Sequence, residues 1–301
     1  MKSKLRIVSR SSKLALKQVE IFCNKLSKKF DFEIIKIQTS ADKILDKPLY
    51  ELGGKGLFTK ELEECLLKNI ADIAVHSLKD MDNNIAKGTT LLAVLKRESR
   101  NDVFVSNYKN LSFLPFNAVI GTSSPRRTAF IKAYRKDLKI KSCRGNIDTR
   151  LNKLKEGQYD ALILAKAGMK RMKLKFTNVI PISILPPPAG QGVIAIQCSN
   201  LLNKKSKDDL HKLVNDEKTF YETLAERSLV KHLNGSCRSP ISSSANINKA
   251  GILTLKGYVA DIKGSKIIYD SFFDNYKNAK RIGEKLAKNL IRKGANKILG
   301  L

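Results

Sequence analysis

The chain has 301 residues, 42% hydrophobic and 28% charged, a globular balance and not a disordered one. Its 57 Lys+Arg against 28 Asp+Glu leave a formal charge of +29, which asks for an anionic partner: nucleic acid, an anionic membrane surface or an acidic small molecule. No apolar run approaches the roughly 20 residues of a membrane span, MKSKLRIVSR has no apolar leader core, and five scattered cysteines without a CxxC pair argue against disulfide or metal frameworks. A cytoplasmic protein with no membrane segment and no metal is expected.

Strand and helix signals alternate along the first two-thirds. Leu5–Val8 reads as a strand, and Leu14, Val19, Phe22 and Leu26 mark one face of a helix. Glu33–Ile37 is a second strand, Leu57–Leu67 a helix and Ile73–Val75 a short buried strand. After a break near Arg97–Asp102 the pattern recurs: Ala118–Gly121, Arg126–Tyr134, Ile140–Ser142, Thr149–Lys155 and Ala161–Leu164. Such spacing predicts α/β domains with a mostly parallel sheet. LPPPAGQG at 185–192 reads as a rigid crossover, followed by the strand-like VIAIQC. A helix over 216–232 then gives way to strands in SSSANI, ILTLKGYVADI and SKIIYDSFF, with a turn at Lys263–Gly264 and a last helix over Lys277–Arg292. That texture predicts a third, smaller α+β module.

Five clusters could carry chemistry. SRSSKLAL at 9–16 places Arg10 and Ser12 at a helix start, where free N–H donors and the dipole suit an anion; a plain Ser cap beside a surface Arg is the bland alternative. GGKGLFTKEL at 53–62 puts Lys55 among glycines without the ending of a P-loop. ADIAVHSLKD at 71–80 delivers His76, Ser77, Lys79 and Asp80 past the end of a buried strand, where open α/β sheets bind ligands. Asp80 is the best candidate for acid–base or charge-stabilising work, an N-cap or surface ion pair being the alternative; His76 reads more simply as structural.

The fourth cluster is the densest: GTSSPRRTAF at 121–130 and SCRGNIDTR at 142–150. Ser123 or Ser124 can cap a helix with Pro125 at its first position. Arg126 and Arg127 then stand in the first turn, opposing the helix dipole, a choice that makes sense if an anion lies between them. Arg144 and Arg150 follow. The fifth cluster, NGSCRSP at 234–240, holds Cys237 in a loop beside Arg238, a setting that favours thiolate; Cys143, beside Arg144, is the rival.

Together these residues resemble the porphobilinogen deaminase (hydroxymethylbilane synthase) family. The resemblance rests on R-x-S-x-L-A-L at 10–16, GGKGLF at 53–58, DIAVHSLKD at 72–80, GTSS-x-RR at 121–127, RGN-x-x-TRL at 144–151, DA-x-ILA-x-AG at 160–168, PAGQG at 188–192 and G-x-C-x-x-P at 235–240, in that order. It implies two domains like type II periplasmic binding proteins, 1–96 with about 193–214 and 97–192, plus an α+β domain over 215–301. It implies a dipyrromethane cofactor joined by thioether to Cys237, with Asp80 as the catalytic carboxylate. Lys79, Ser124, Arg126 and Arg127 resemble residues that hold the cofactor's acid side chains. Arg10, Ser12, Arg144, Arg150 and Arg171 resemble those serving substrate and growing chain, and Lys55 lies in a loop covering the cleft in this family. The implied substrate is porphobilinogen and the implied state a monomer. Departures include Pro125 where Leu is common and Gln197 where Glu is frequent.

The residue types fit that chemistry. Each porphobilinogen brings an acetate and a propionate, which guanidinium forks grip bidentately. Loss of ammonia leaves a cationic azafulvene that a carboxylate can stabilise. Of the basic residues 14 are Arg, and eight of these (10, 97, 100, 126, 127, 144, 150 and 171) fall in or beside the motifs, while the 43 Lys are spread along presumed surface. A nucleic-acid-binding protein is the rival reading of the +29. It lacks a zinc-finger, RNP or helix-turn-helix signature, and no Trp is present.

Overall fold

A computed structural model of the chain describes residues 3–26, 29–40, 56, 58–236 and 239–300. Lys55, Cys237 and Arg238 lie outside these residues, as does Leu57 at the start of the expected second helix. The chain divides into two compact units, one built from 1–44, 53–98 and 192–220, the other from 45–52, 99–191 and 221–301.

The first unit is a five-stranded sheet with helices. Its strands are β1 (Ser3–Arg10), β2 (Phe30–Ile37), β3 (Ile73–Ser77), β4 (Thr89–Val94) and β10 (Ile194–Ser199), in the order β2-β1-β3-β10-β4. β1 runs parallel to β2 and β3, while β10 is inserted antiparallel between β3 and β4. Helix α1 (Lys13–Leu26) buries Gln18, Val19, Phe22 and Leu26, close to the stripe expected from spacing; burying each large apolar side chain contributes about 2 kcal/mol. Helix α2 is Lys60–Leu67. Every residue of β10 is buried. Gln197, where the family frequently has Glu, donates from Nε2 to Glu63 Oε1 (2.9 Å) and Thr89 Oγ1 (2.7 Å).

The second unit repeats that plan. Strands β5 (Asp102–Ser106), β6 (Val119–Gly121), β7 (Lys139–Lys141), β8 (Ala161–Ala165) and β9 (Asn178–Val179) follow the order β7-β6-β8-β5-β9. β6 is parallel to β7 and β8, with β5 antiparallel between β8 and β9. In both sheets one out-of-sequence strand interrupts a parallel set. Helices α3 (Pro125–Tyr134), α4 (Ile147–Lys155) and α5 (Lys166–Arg171) accompany this sheet.

Helices α6 (Lys204–Val214) and α7 (Glu217–His232) follow β10. The C-terminal module is an antiparallel sheet, β11 (Ile241–Ile247), β12 (Ile252–Ala260) and β13 (Ile267–Asn275), backed by α8 (Ala279–Arg292) and α9 (Ala295–Leu299). It packs within the second unit: Tyr258 and Ala260 join the core around Phe104, Ile120 and Phe130. Among the described residues no helix is long and apolar enough to cross a membrane.

Candidate active site

In the first unit two strand ends converge. β1 ends at Arg10, and Ser12 opens α1, its Oγ accepting from Ala15 N (3.4 Å). β3 ends at Ser77 and passes into a single 3-10 turn, Leu78–Asp80, which carries half-buried Lys79 and Asp80. Arg10, Ser12, Gln18, Phe58, His76, Ser77 and Asp80 line one small cleft of about 60 Å³. The Arg10 cation and the Asp80 carboxylate therefore face the same space at the C-terminal ends of adjacent parallel strands. Lys79 precedes Asp80 on the turn and does not line this cleft.

Two residues of the cleft escaped the sequence reading. Phe58 lies beneath the Arg10 guanidinium, 4.8 Å from carbon to ring centroid, a cation–π contact that orients the cation. Gln18, on the buried face of α1, donates from Nε2 to Ser77 Oγ (2.8 Å) and ties helix to strand end. Phe58 stands inside GGKGLF, so a motif signal existed; Gln18 had none, because a polar residue on an apolar stripe looks like an imperfection. His76 is 5% exposed and paired with Ala195 across the sheet, which fits its structural reading.

In the second unit Ser124 caps α3, its Oγ accepting from Arg127 N (3.4 Å), with Pro125 at the first helical position. Arg126 and Arg127 stand in the first turn but are 3% and 6% exposed. The anion expected between them is supplied by the protein itself. Asp102, buried at the start of β5, accepts from Arg126 Nη2 (2.6 Å), Arg127 Nε (3.2 Å) and Arg127 Nη2 (2.7 Å). Arg126 Nη1 also donates to Pro186 O (2.6 Å), and Arg127 Nη1 to Ile163 O (2.8 Å). Burial alone would raise the Asp102 carboxyl pKa; the charges and hydrogen bonds of Arg127 and Arg126 outweigh it and hold the group well below the usual carboxylate range. Nothing local in NDVFV marks Asp102, since its partners are 24 and 25 residues away.

Arg144 is buried after β7, and Arg150 on α4 folds back to donate from Nε to Gly145 O (2.8 Å). Arg171 ends α5. Arg100 is engaged internally, donating to Ala245 O (2.6 Å) and Glu222 Oε2 (3.0 Å), so it serves the packing of its unit and not an external anion as its position beside the motifs suggested. Among the described cysteines, burial pushes the thiol of Cys23 up to about 11 and raises those of Cys65 and Cys198. Cys143 is fully buried.

The model of the porphobilinogen deaminase dipyromethane cofactor binding domain matches residues 5–207, and that of the porphobilinogen deaminase C-terminal domain matches 220–292. Porphobilinogen deaminase of a Nitratiruptor species is 41% identical over 303 residues, covering 98% of this chain and 96% of its own. That of Buchnera aphidicola subsp. Acyrthosiphon pisum is 42% identical over 301 residues, covering 98% and 95%. Among solved structures, a nutrient binding protein from Burkholderia cenocepacia bound to methionine aligns over 68% of this chain and 89% of its own, at 10% identity and a TM-score of 0.43. With both family models spanning most of its length and two relatives above 40% identity, the chain belongs to the porphobilinogen deaminase family.

Proposed function

We propose that this chain performs its family's transferase reaction with Asp80 as the catalytic carboxylate and Cys237 as the tether. The reaction is the stepwise deaminating condensation of four porphobilinogen molecules onto a dipyrromethane primer, then hydrolytic release of the linear tetrapyrrole hydroxymethylbilane, in porphyrin and haem biosynthesis. The observation that carries the reading is the convergence of Arg10, Ser12 and Asp80 on one cleft.

The residues present suit a polycarboxylate cofactor. Arg126 is 3% exposed, its Nε has no hydrogen-bond partner among the described residues, and the Asp102 carboxylate beside it is shared with Arg127. Lys79, Ser124, Arg126 and Arg127 are assigned to the cofactor's acid side chains. Bound through Cys237, the dipyrromethane supplies a pyrrole carbon nucleophile and keeps the growing chain in place, so each addition is effectively intramolecular. Arg10 and Ser12 orient the incoming substrate's carboxylates, with Arg144, Arg150, Arg171 and Lys55 serving substrate and product chain. Asp80 stabilises positive charge on the substrate pyrrole as ammonia departs, and it takes up and returns protons at the pyrrole nitrogens. Burial raises the thiols of Cys23, Cys65 and Cys198, which disfavours thiolate there and supports Cys237 as the tether. A monomer in the cytoplasm, with no nucleic-acid partner, completes the reading; the three-domain division of the chain is retained with it.

Asp80→Asn is expected to lower kcat by at least about 100-fold while intact mass still shows two covalent pyrrole units. Cys237→Ser is expected to lose that mass. Near-normal turnover in the first variant, or an unmodified mass in active wild type, would refute these roles.

A further inference from the structure

The buried cluster around Asp102 divides its two arginines unequally. Arg127 meets the carboxylate with two nitrogens, Nε and Nη2, and its third nitrogen is taken by Ile163 O. Arg126 makes one bond to Asp102 and one to Pro186 O, and its Nε is buried without a partner among the described residues. Two guanidiniums and one carboxylate carry one surplus positive charge. Inside a protein such a charge is costly until an anion completes it, and the hydrogen bonds place the larger share of it on Arg126.

The carboxylate is itself held in place. Gln191, 1% exposed, donates from Nε2 to Arg100 O (2.8 Å) and to Asp102 Oδ1 (3.1 Å). Its loop needs glycine on both sides, since Gly190 and Gly192 have φ of 70° and 86°. Gly190 N is fastened to the buried Glu226 Oε2 (2.9 Å). The PAGQG segment is therefore more than a crossover: it delivers one amide to the oxygen that Arg127 also uses.

We propose that Asp102, braced by Gln191, is a positioning residue for the cofactor's acid side chains. It grips Arg127 through two nitrogens and Arg126 through one, and so leaves Arg126 with the larger share of the surplus charge for a cofactor carboxylate to complete. The inference rests on the assignment of Arg126 to the cofactor.

The deciding variant is Gln191→Met, which keeps the side-chain length and removes the amide donor without stranding a buried charge. On full-length protein, the fraction of chains carrying the covalent dipyrromethane mass is expected to fall at least threefold, with the melting temperature within a few degrees of wild type. Arg126→Leu is expected to fall similarly, and the double variant no further than the worse single one, because Gln191 acts through Arg126. Full cofactor content in Gln191→Met beside a depleted Arg126→Leu, or losses that add in the double variant, would overturn the positioning role alone. Wild type without the added mass, or Arg126→Leu with full cofactor, would overturn the cofactor assignment and this inference with it. If Gln191→Met does not fold, Asp102→Glu decides: it keeps the charge and moves the carboxylate by one methylene. It should lose cofactor more than stability, and a wild-type cofactor content would refute the proposal.

Discussion

At the residue scale the distinction that matters is between a charge that faces a ligand and one that faces the protein. Arg10, Arg126 and Arg100 look alike in sequence. Arg10 lines a cleft over Phe58, Arg100 is bonded to Glu222, and Arg126 shares Asp102 with Arg127. Asp102 also sets an acid sensitivity. Its folded pKa is depressed, so its stabilisation is present above the unfolded value near 3.9 and is lost as pH falls below it towards the depressed folded value. Asp102→Asn is expected to cost ~3–5 kcal/mol at pH 7, because two buried guanidiniums lose their counter-charge. The gap from wild type should close by ~1.4 kcal/mol for each pH unit below about 4. Denaturant titrations at pH 7, 5 and 3 measure it, and a pH-independent gap would contradict the ion-pair account.

At the element scale α3 is held from both ends. Ser124 and Pro125 start it, as their order in the sequence announces. Its far side meets the β12–β13 turn of the C-terminal module. A Cβ on Gly264 would lie 2.3 Å from Ala129 O and 2.6 Å from Ala133 N, and Gly264 has φ of 70°. Gly264→Ala is therefore expected to cost about 2 kcal/mol or more, through backbone strain and displacement of α3. Cofactor content should fall with it, since α3 carries Arg126. Denaturation and intact mass read both effects; a change within ~0.5 kcal/mol would show that the turn yields easily. The alternating elements were legible because strand and helix periods differ. β4, β5, β9, α5 and α6 were not singled out. β5 is the instructive case: it is inserted antiparallel beside β8, a pairing that follows from neither its own pattern nor its place in the chain.

At the scale of the whole molecule the two compact units divide between Glu98 and Ser99. The C-terminal α+β module appears as expected, yet it shares a core with the 99–191 segment and forms one compact unit with it. The charge of +29 is carried mainly by 43 Lys spread along the chain. Such a surface repels itself at low ionic strength. Raising salt from about 20 to about 200 mM, which shortens the screening length from roughly 20 to roughly 7 Å, is expected to raise the melting temperature by a few degrees. Excess duplex DNA should leave turnover of porphobilinogen unchanged; DNA inhibition with a steep salt slope would revive the nucleic-acid reading.

The chain by itself determined what local chemistry can carry: the alternation of strand and helix, the Ser-Pro start of α3, the placing of Arg10 and Asp80 at the ends of buried strands, and an ordered set of motifs specific enough to name a family. Only the tertiary structure decided which charges are already spoken for. Asp102, Gln191 and Arg126 are brought together from segments far apart in sequence. Ion pairing and burial depend on distance in space, and no local pattern encodes that distance.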